Sequence, residues 1–145
     1  MIPVALSSSL DGLEVRDVMH EGIISCTPET TLRNAARMLA TYRVHALMVF
    51  PRREADTGHV ASWGVVSDLD LVEAVAEHDP DATTVGEVAG SPVRCVQPDE
   101  PLANAVLTMS ANKLTHVIVL DRRTSRPVGI LSALDVARAL AGAAV

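Results

Sequence analysis

Aromatic side chains are nearly missing: 145 residues include one Trp, one Tyr and one Phe. Stacking-based recognition of nucleic acid wants aromatic platforms, so this composition argues against that mode. The core must instead be built from Val, Leu, Ile, Ala and Met. Basic charge is also scarce. The formal net charge is −6, and no run of Lys or Arg is longer than a pair. DNA, RNA or an anionic membrane surface calls for a basic patch, which argues against all three as partners. Of the two cysteines there is no C-x-x-C, and the five histidines form no H-x-x-H or H-E-x-x-H spacing, so a structural metal is not expected. Cys26 and Cys95, each shortly before a proline, read as two buried apolar thiols. No apolar run approaches the ~18 residues of a spanning helix, and residues 1–10 lack a basic then apolar leader. A soluble, cytoplasmic protein is expected.

What the chain does have is a repeat. Gly64-Val65-Val66-Ser67-Asp68-Leu69-Asp70-Leu71 returns as Gly129-Ile130-Leu131-Ser132-Ala133-Leu134-Asp135-Val136. In each copy the apolar run after glycine reads as a short buried strand, and Ser-x-x-Asp as the first turn of a helix. Upstream, Val15-x-x-Val18 matches Val85-x-x-Val88, Pro28 matches Pro98, and Leu32-x-Asn34-Ala35 matches Leu102-x-Asn104-Ala105. Residues 44–50 (VHALMVF) match 114–120 (LTHVIVL) at the same offset of 70. The offset falls to 65 between Ser67 and Ser132, so the first copy carries five extra residues. They fall in the polar segment 51–59, with Pro and Gly, where a hairpin loop tolerates insertion. Two copies of this length are two fused half-domains, not a solenoid.

The expected organisation is a lead-in (1–13), flexible or packed across the repeats, a first half (14–78), a linker (79–84) and a second half (85–141). A short helical or turn opening is expected over 15–19. Strands are expected over 23–26, 46–50, 61–66, 93–96, 117–120 and 128–131. The first long helix starts at Thr30-Thr31, with Leu32, Ala35, Ala36, Leu39 and Ala40 on one stripe and Arg33 and Arg37 outside it. Further helices are expected over 68–77, 102–112 and 133–141. Each half is too small to bury a core alone. The fold class is therefore α/β (of α+β type): two pseudo-symmetric β-α-β-β-α repeats packed sheet to sheet.

That order, the V-x-x-V-[M/A] opening, the strand pattern of 44–50 and the G-h-h-S-x-x-D-h close, where h is aliphatic, together resemble the CBS domain, named for cystathionine β-synthase. Two in tandem are similar to a Bateman module, and the resemblance covers about residues 14–141. It implies a non-catalytic module whose clefts bind AMP, ADP, ATP or S-adenosylmethionine and signal to a regulated partner protein. No nucleophile–base set, paired carboxylates or metal ligands in the sequence suggest otherwise. The family's clefts are composite, which carries over to Ser67 and Asp70 with Leu114, Thr115 and His116, and to Ser132 and Asp135 with Val44, His45 and Ala46. Asp70 and Asp135 would accept hydrogen bonds from ribose hydroxyls. Ser67 and Ser132 would donate to phosphate near a helix N-terminus. His45 would favour phosphate in the Ser67/Asp70 cleft, and its counterpart in the other is Thr115, so the clefts need not share a ligand. Asp68 would work against polyphosphate beside Ser67 if it points inward, whereas Ala133 is neutral. Many relatives have proline where Met48 and Ile118 stand, a departure expected to be harmless.

Ser-x-x-Asp is also close to a capping box, worth about 1 kcal/mol per helix, and one aspartate is not expected to serve both as cap and as ligand contact. The leading expectation is a stand-alone adenine-nucleotide sensor without a cofactor, forming a homodimer. The alternatives are a ligand-free dimerisation module, with close packing at Ala36, Ala40, Ala137 and Ala141, or a binder of S-adenosylmethionine, whose sulfonium suits an acidic cleft. The pairs Arg52-Arg53 and Arg122-Arg123 read as solvated hairpin loops. Substitution separates cap from ligand contact. If Asp135 holds ligand, Asp135→Ala abolishes binding by calorimetry with little loss of melting temperature; a large melting shift with unchanged affinity would contradict that role.

Overall fold

The computed structural model describes residues 10–51, 63–88 and 94–142. In chain order the elements are α1 (Val15–Val18), β1 (Ser25–Cys26), α2 (Leu32–Tyr42), β2 (Ala46–Val49), β3 (Gly64–Ser67) and α3 (Asp68–Val75). The second copy supplies α4 (Val85–Val88), β4 (Cys95–Val96), α5 (Leu102–Asn112), β5 (His116–Asp121), β6 (Arg126–Ser132) and α6 (Ala133–Leu140). The β-α-β-β-α order thus appears twice, each time behind a one-turn helix. The boundaries lie within a few residues of those expected. Residues 52–62, with Arg52-Arg53 and the start of the expected strand 61–66, lie outside the described residues, as does Val93.

Each repeat forms a three-stranded sheet around one apolar strand. β2 is buried along its whole length, pairing parallel with β1 and antiparallel with β3. A central strand covered on both faces reads as a continuous apolar run rather than an alternating one. β5 stands in the same way between β4 and β6. Met48 and Ile118 are fully buried in these strands. Both hairpins deliver their serine to the same register, Ser67 opposite Ala46 and Ser132 opposite His116.

Helix α2 begins where Thr31 Oγ1 accepts the Asn34 amide at 3.1 Å, a side-chain cap on an otherwise unsatisfied donor. It buries Leu32, Ala35 and Leu39. Ala36 is half-buried and Ala40 exposed, so the apolar stripe is narrower than expected. α2 ends at Arg43 and α5 at Lys113, seventy residues apart, both in the left-handed conformation that satisfies the last carbonyls of a helix.

The compact units do not coincide with the sequence repeats. One, the terminal unit, combines Met1–Ile23 with Arg94–Val145; the other, the middle unit, is Ile24–Val93. Each repeat's opening segment therefore packs with the other repeat's strands. In the terminal unit Val15 N donates to Glu100 O, Arg16 N to Pro98 O and Leu102 N to Leu13 O, all at 2.9 Å. The middle unit writes the same bonds seventy residues on: Val85 N to Thr30 O, Gly86 N to Pro28 O and Leu32 N to Thr83 O, at 2.8–3.0 Å. The V-x-x-V spacing puts both valines of a one-turn helix on one side. Val15 and Val18 enter a core with Leu10, Val96, Leu102, Ala105, Met109, Val117, Val119 and Leu131. Val85 enters the middle core with Leu32, Ala35, Leu39, Leu47, Val49 and Val66. The end of the lead-in is thus a core element, since Leu10 is 2% exposed.

One expectation is corrected. Cys26 is buried, but Cys95 is exposed. Cys26 pairs in register with Val49, the partner equivalent to that of Val96, whereas Cys95 takes the place of Ser25. The two cysteines are 69 residues apart, not 70, and a shift of one residue turns a strand side chain to the other face.

Leu32 and Leu102, equivalent and fully buried, should each cost about 2–5 kcal/mol on truncation to Ala. Urea unfolding of the two variants checks this, and a loss below about 1 kcal/mol would contradict the core assignment.

Candidate ligand-binding site

Both serine–aspartate turns are capping boxes. At the start of α3, Ser67 Oγ accepts the Asp70 amide at 3.1 Å and Asp70 Oδ2 accepts the Ser67 amide at 2.8 Å. At the start of α6, Ser132 and Asp135 make the same two bonds at the same distances. A strand that stops at its serine leaves free amides at the next helix's first turn, and this pair satisfies two of them reciprocally. The cap uses only one carboxylate oxygen. Oδ1 of each aspartate is not used by the cap, so capping by itself does not occupy the whole carboxylate.

The two leftover oxygens differ. Asp70 is half-buried, and among the described residues its recorded partner is the cap itself. Asp135 is 2% exposed, and its Oδ1 lies 2.6 Å from Nδ1 of His20. A carboxylate only accepts, so the imidazole Nδ1–H is the donor. The backbone aims His20 there: His20 N donates to Ile130 O at 2.9 Å and Ile130 N to His20 O at 3.1 Å. Gly129 permits this approach, because a Cβ on it would stand 2.6 Å from the His20 carbonyl oxygen and 3.0 Å from Met19 Sδ. His20 was not among the residues singled out by pattern. The only signal was its place directly after the Val15-x-x-Val18-Met19 opening.

His45 donates from Nδ1 to Asp68 Oδ2 at 2.9 Å, and its carbonyl accepts the Asp68 amide at 2.8 Å. Asp68 Oδ1 also accepts the Leu69 amide at 2.8 Å. His45 and Asp68 are both exposed, and the ring is turned onto the neighbouring carboxylate. In the second repeat Ala133 N donates to Thr115 O at 2.8 Å, and Thr115 Oγ1 lies 3.0 Å from His116 Nδ1. Val44 packs on the middle core and Leu114 on the terminal core; Ala46 is buried. Each serine–aspartate pair therefore shares a unit with the second-strand opening of its own repeat: Val44, His45 and Ala46 with Ser67 and Asp70, and Leu114, Thr115 and His116 with Ser132 and Asp135. Ser67 is 4% exposed and serves to hold the turn.

Burial pushes the Cys26 thiol above the ordinary cysteine range, with a Thr30 hydrogen bond partly opposing it, and partial loss of hydration at the strand surface pushes the exposed Cys95 thiol the same way. Both stay protonated at neutral pH and are poor nucleophiles. Among the described residues no group of three or more His, Cys, Asp or Glu could hold a metal ion, and no helix is long and apolar enough to cross a membrane.

The CBS domain family matches residues 15–77 and 85–142. The chain belongs to the CBS domain family, as a tandem pair. A CBS pair is a regulatory module rather than a catalyst. Homoserine O-acetyltransferase from Methanohalophilus mahii is 29% identical over 137 residues, 94% of this chain and 26% of that protein. The 5'-AMP-activated protein kinase subunit gamma of Dictyostelium discoideum is 26% identical over 121 residues, 79% of this chain and 21% of that protein. The chain thus spans about a quarter of the length of these relatives. Among solved structures, the CBS domain pair of protein MJ0100, in complex with 5'-methylthioadenosine and S-adenosyl-L-methionine, superposes with a TM-score of 0.74 at 23% identity, covering 90% of this chain and 97% of that one. The hexameric CBS-CP12 protein from bloom-forming cyanobacteria gives 0.76 at 21% identity, over 86% of this chain and 69% of that one. At these identities the structures establish the fold.

Gly129→Ala forces a methyl group against the His20 carbonyl and should cost about 1–3 kcal/mol, as overpacking does. Equal urea stabilities of variant and wild type would contradict the close approach.

Proposed function

We propose that this CBS pair is a sensor that binds an adenosine-containing small molecule and passes its occupancy to a partner protein, with S-adenosylmethionine and its thioether relatives favoured over AMP, ADP and ATP. The carrying observation is the acidic first turn of α3. Asp68 and Asp70 both stand there, and His45, the residue expected to favour phosphate, is engaged by Asp68. Two carboxylates oppose a polyphosphate and favour a sulfonium cation. Asp70 Oδ1 is the acceptor offered to a ribose hydroxyl, and the cap on Oδ2 fixes its direction. The MJ0100 pair, with two sulfur-bearing adenosine ligands, supports the same class. The name of the gamma-subunit relative keeps AMP as the second reading. Exposed Leu134 and Leu140 on α6, beside exposed Ala137, support self-association as a homodimer.

Titration calorimetry of ligand-stripped protein with S-adenosylmethionine, 5'-methylthioadenosine, AMP, ADP and ATP tests the proposal. The sulfur-bearing ligands should bind at least about tenfold more tightly than ATP, a difference of ~1.4 kcal/mol. The reverse order would restore the nucleotide reading, and silence from all five would leave a ligand-free interaction module.

A further inference from the structure

We propose that His20 is a built-in competitor for ribose at Asp135, so that the pair takes adenosine at Asp70 and holds one ligand per chain. This rests on the adenosine reading above and adds which aspartate serves it.

A ribose hydroxyl needs a carboxylate oxygen that is both free and reachable. At Asp135 neither oxygen qualifies: Oδ2 is held by the Ser132 amide, Oδ1 by His20 at 2.6 Å, and the side chain is 2% exposed. Admitting ribose would mean breaking that bond, with no comparable hydrogen-bond partner for the freed imidazole among the described residues. His20 is also held by its two backbone bonds to Ile130, so the competitor is pre-positioned rather than recruited from a flexible chain. A conformation available only 1% of the time weakens apparent affinity about 100-fold. The repeat shows that this is a property of one copy. Seventy residues after His20 in the sequence stands Gly90, which carries no imidazole. Among the described residues the duplicated cap is therefore blocked at Asp135, whereas Asp70 Oδ1 has no recorded partner.

Calorimetric stoichiometry on the full chain, with S-adenosylmethionine as the probe, tests this. Wild type should bind one equivalent, and Asp70→Ala should bind none. His20→Ala should bind two, and His20→Ala combined with Asp70→Ala should regain one. His20→Asn, which keeps an amide donor near the Nδ1 position, should stay at one. Two equivalents for wild type, or one for a folded His20→Ala, would overturn the competitor. No binding by any variant to any of the five ligands would instead defeat the adenosine reading. The pairing is then read on its own by nitrogen NMR of the His20 ring. Wild type should show Nδ1 protonated, with the signal moved in Asp135→Asn; identical ring signals in the two proteins would overturn the pairing.

Discussion

A carboxylate has two oxygens, and at each Ser-x-x-Asp turn one of them is committed to the helix that follows. What each turn has left to offer depends on that division. The Oδ2 bonds at Asp70 and Asp135 are made to equivalent amides at 2.8 Å, so the duplicated motif builds the same local structure twice. What the second oxygen does is then decided by the surroundings. At α3 it has no recorded partner among the described residues, whereas at α6 it meets an imidazole delivered by a segment far away in sequence. Two identical motifs thus acquire different chemistry from their neighbours.

The delivery follows from how the fold closes its cores. Each sheet is small, with one edge strand of only two residues, and a half of this size buries little apolar surface alone. Docking the opening segment of one repeat against the other's strands adds two valines to the terminal core and fixes the segment by backbone bonds at its helix and at His20. His20 is placed because the chain is anchored at the helix before it and at its own backbone. The stretch of backbone that completes the terminal core is also the one that sets His20 against Asp135.

Much of this was legible in the sequence because the repeat supplied its own control. Leu32 with Leu102 and Val15 with Val85 share an offset, and so share a burial. Cys95 was misread because it sits one residue out of register with Cys26, and strand alternation turns that single step into opposite faces. The capping boxes were readable at Ser67 and Ser132, but their consistency with ligand contact required the two oxygens to be told apart. His20 was not readable as a partner of Asp135. The two are 115 residues apart, and only the packing of the opening segment brings them together. Ala40 shows the complementary error: helical spacing put it on the stripe, but in the fold it is exposed.

The central claim is that the two aspartates have been assigned different work. A crystal structure of the full chain grown with excess S-adenosylmethionine tests it most directly. Ribose hydroxyls on Asp70 and an unbroken His20–Asp135 bond are expected. Ribose on Asp135 with His20 displaced would contradict it.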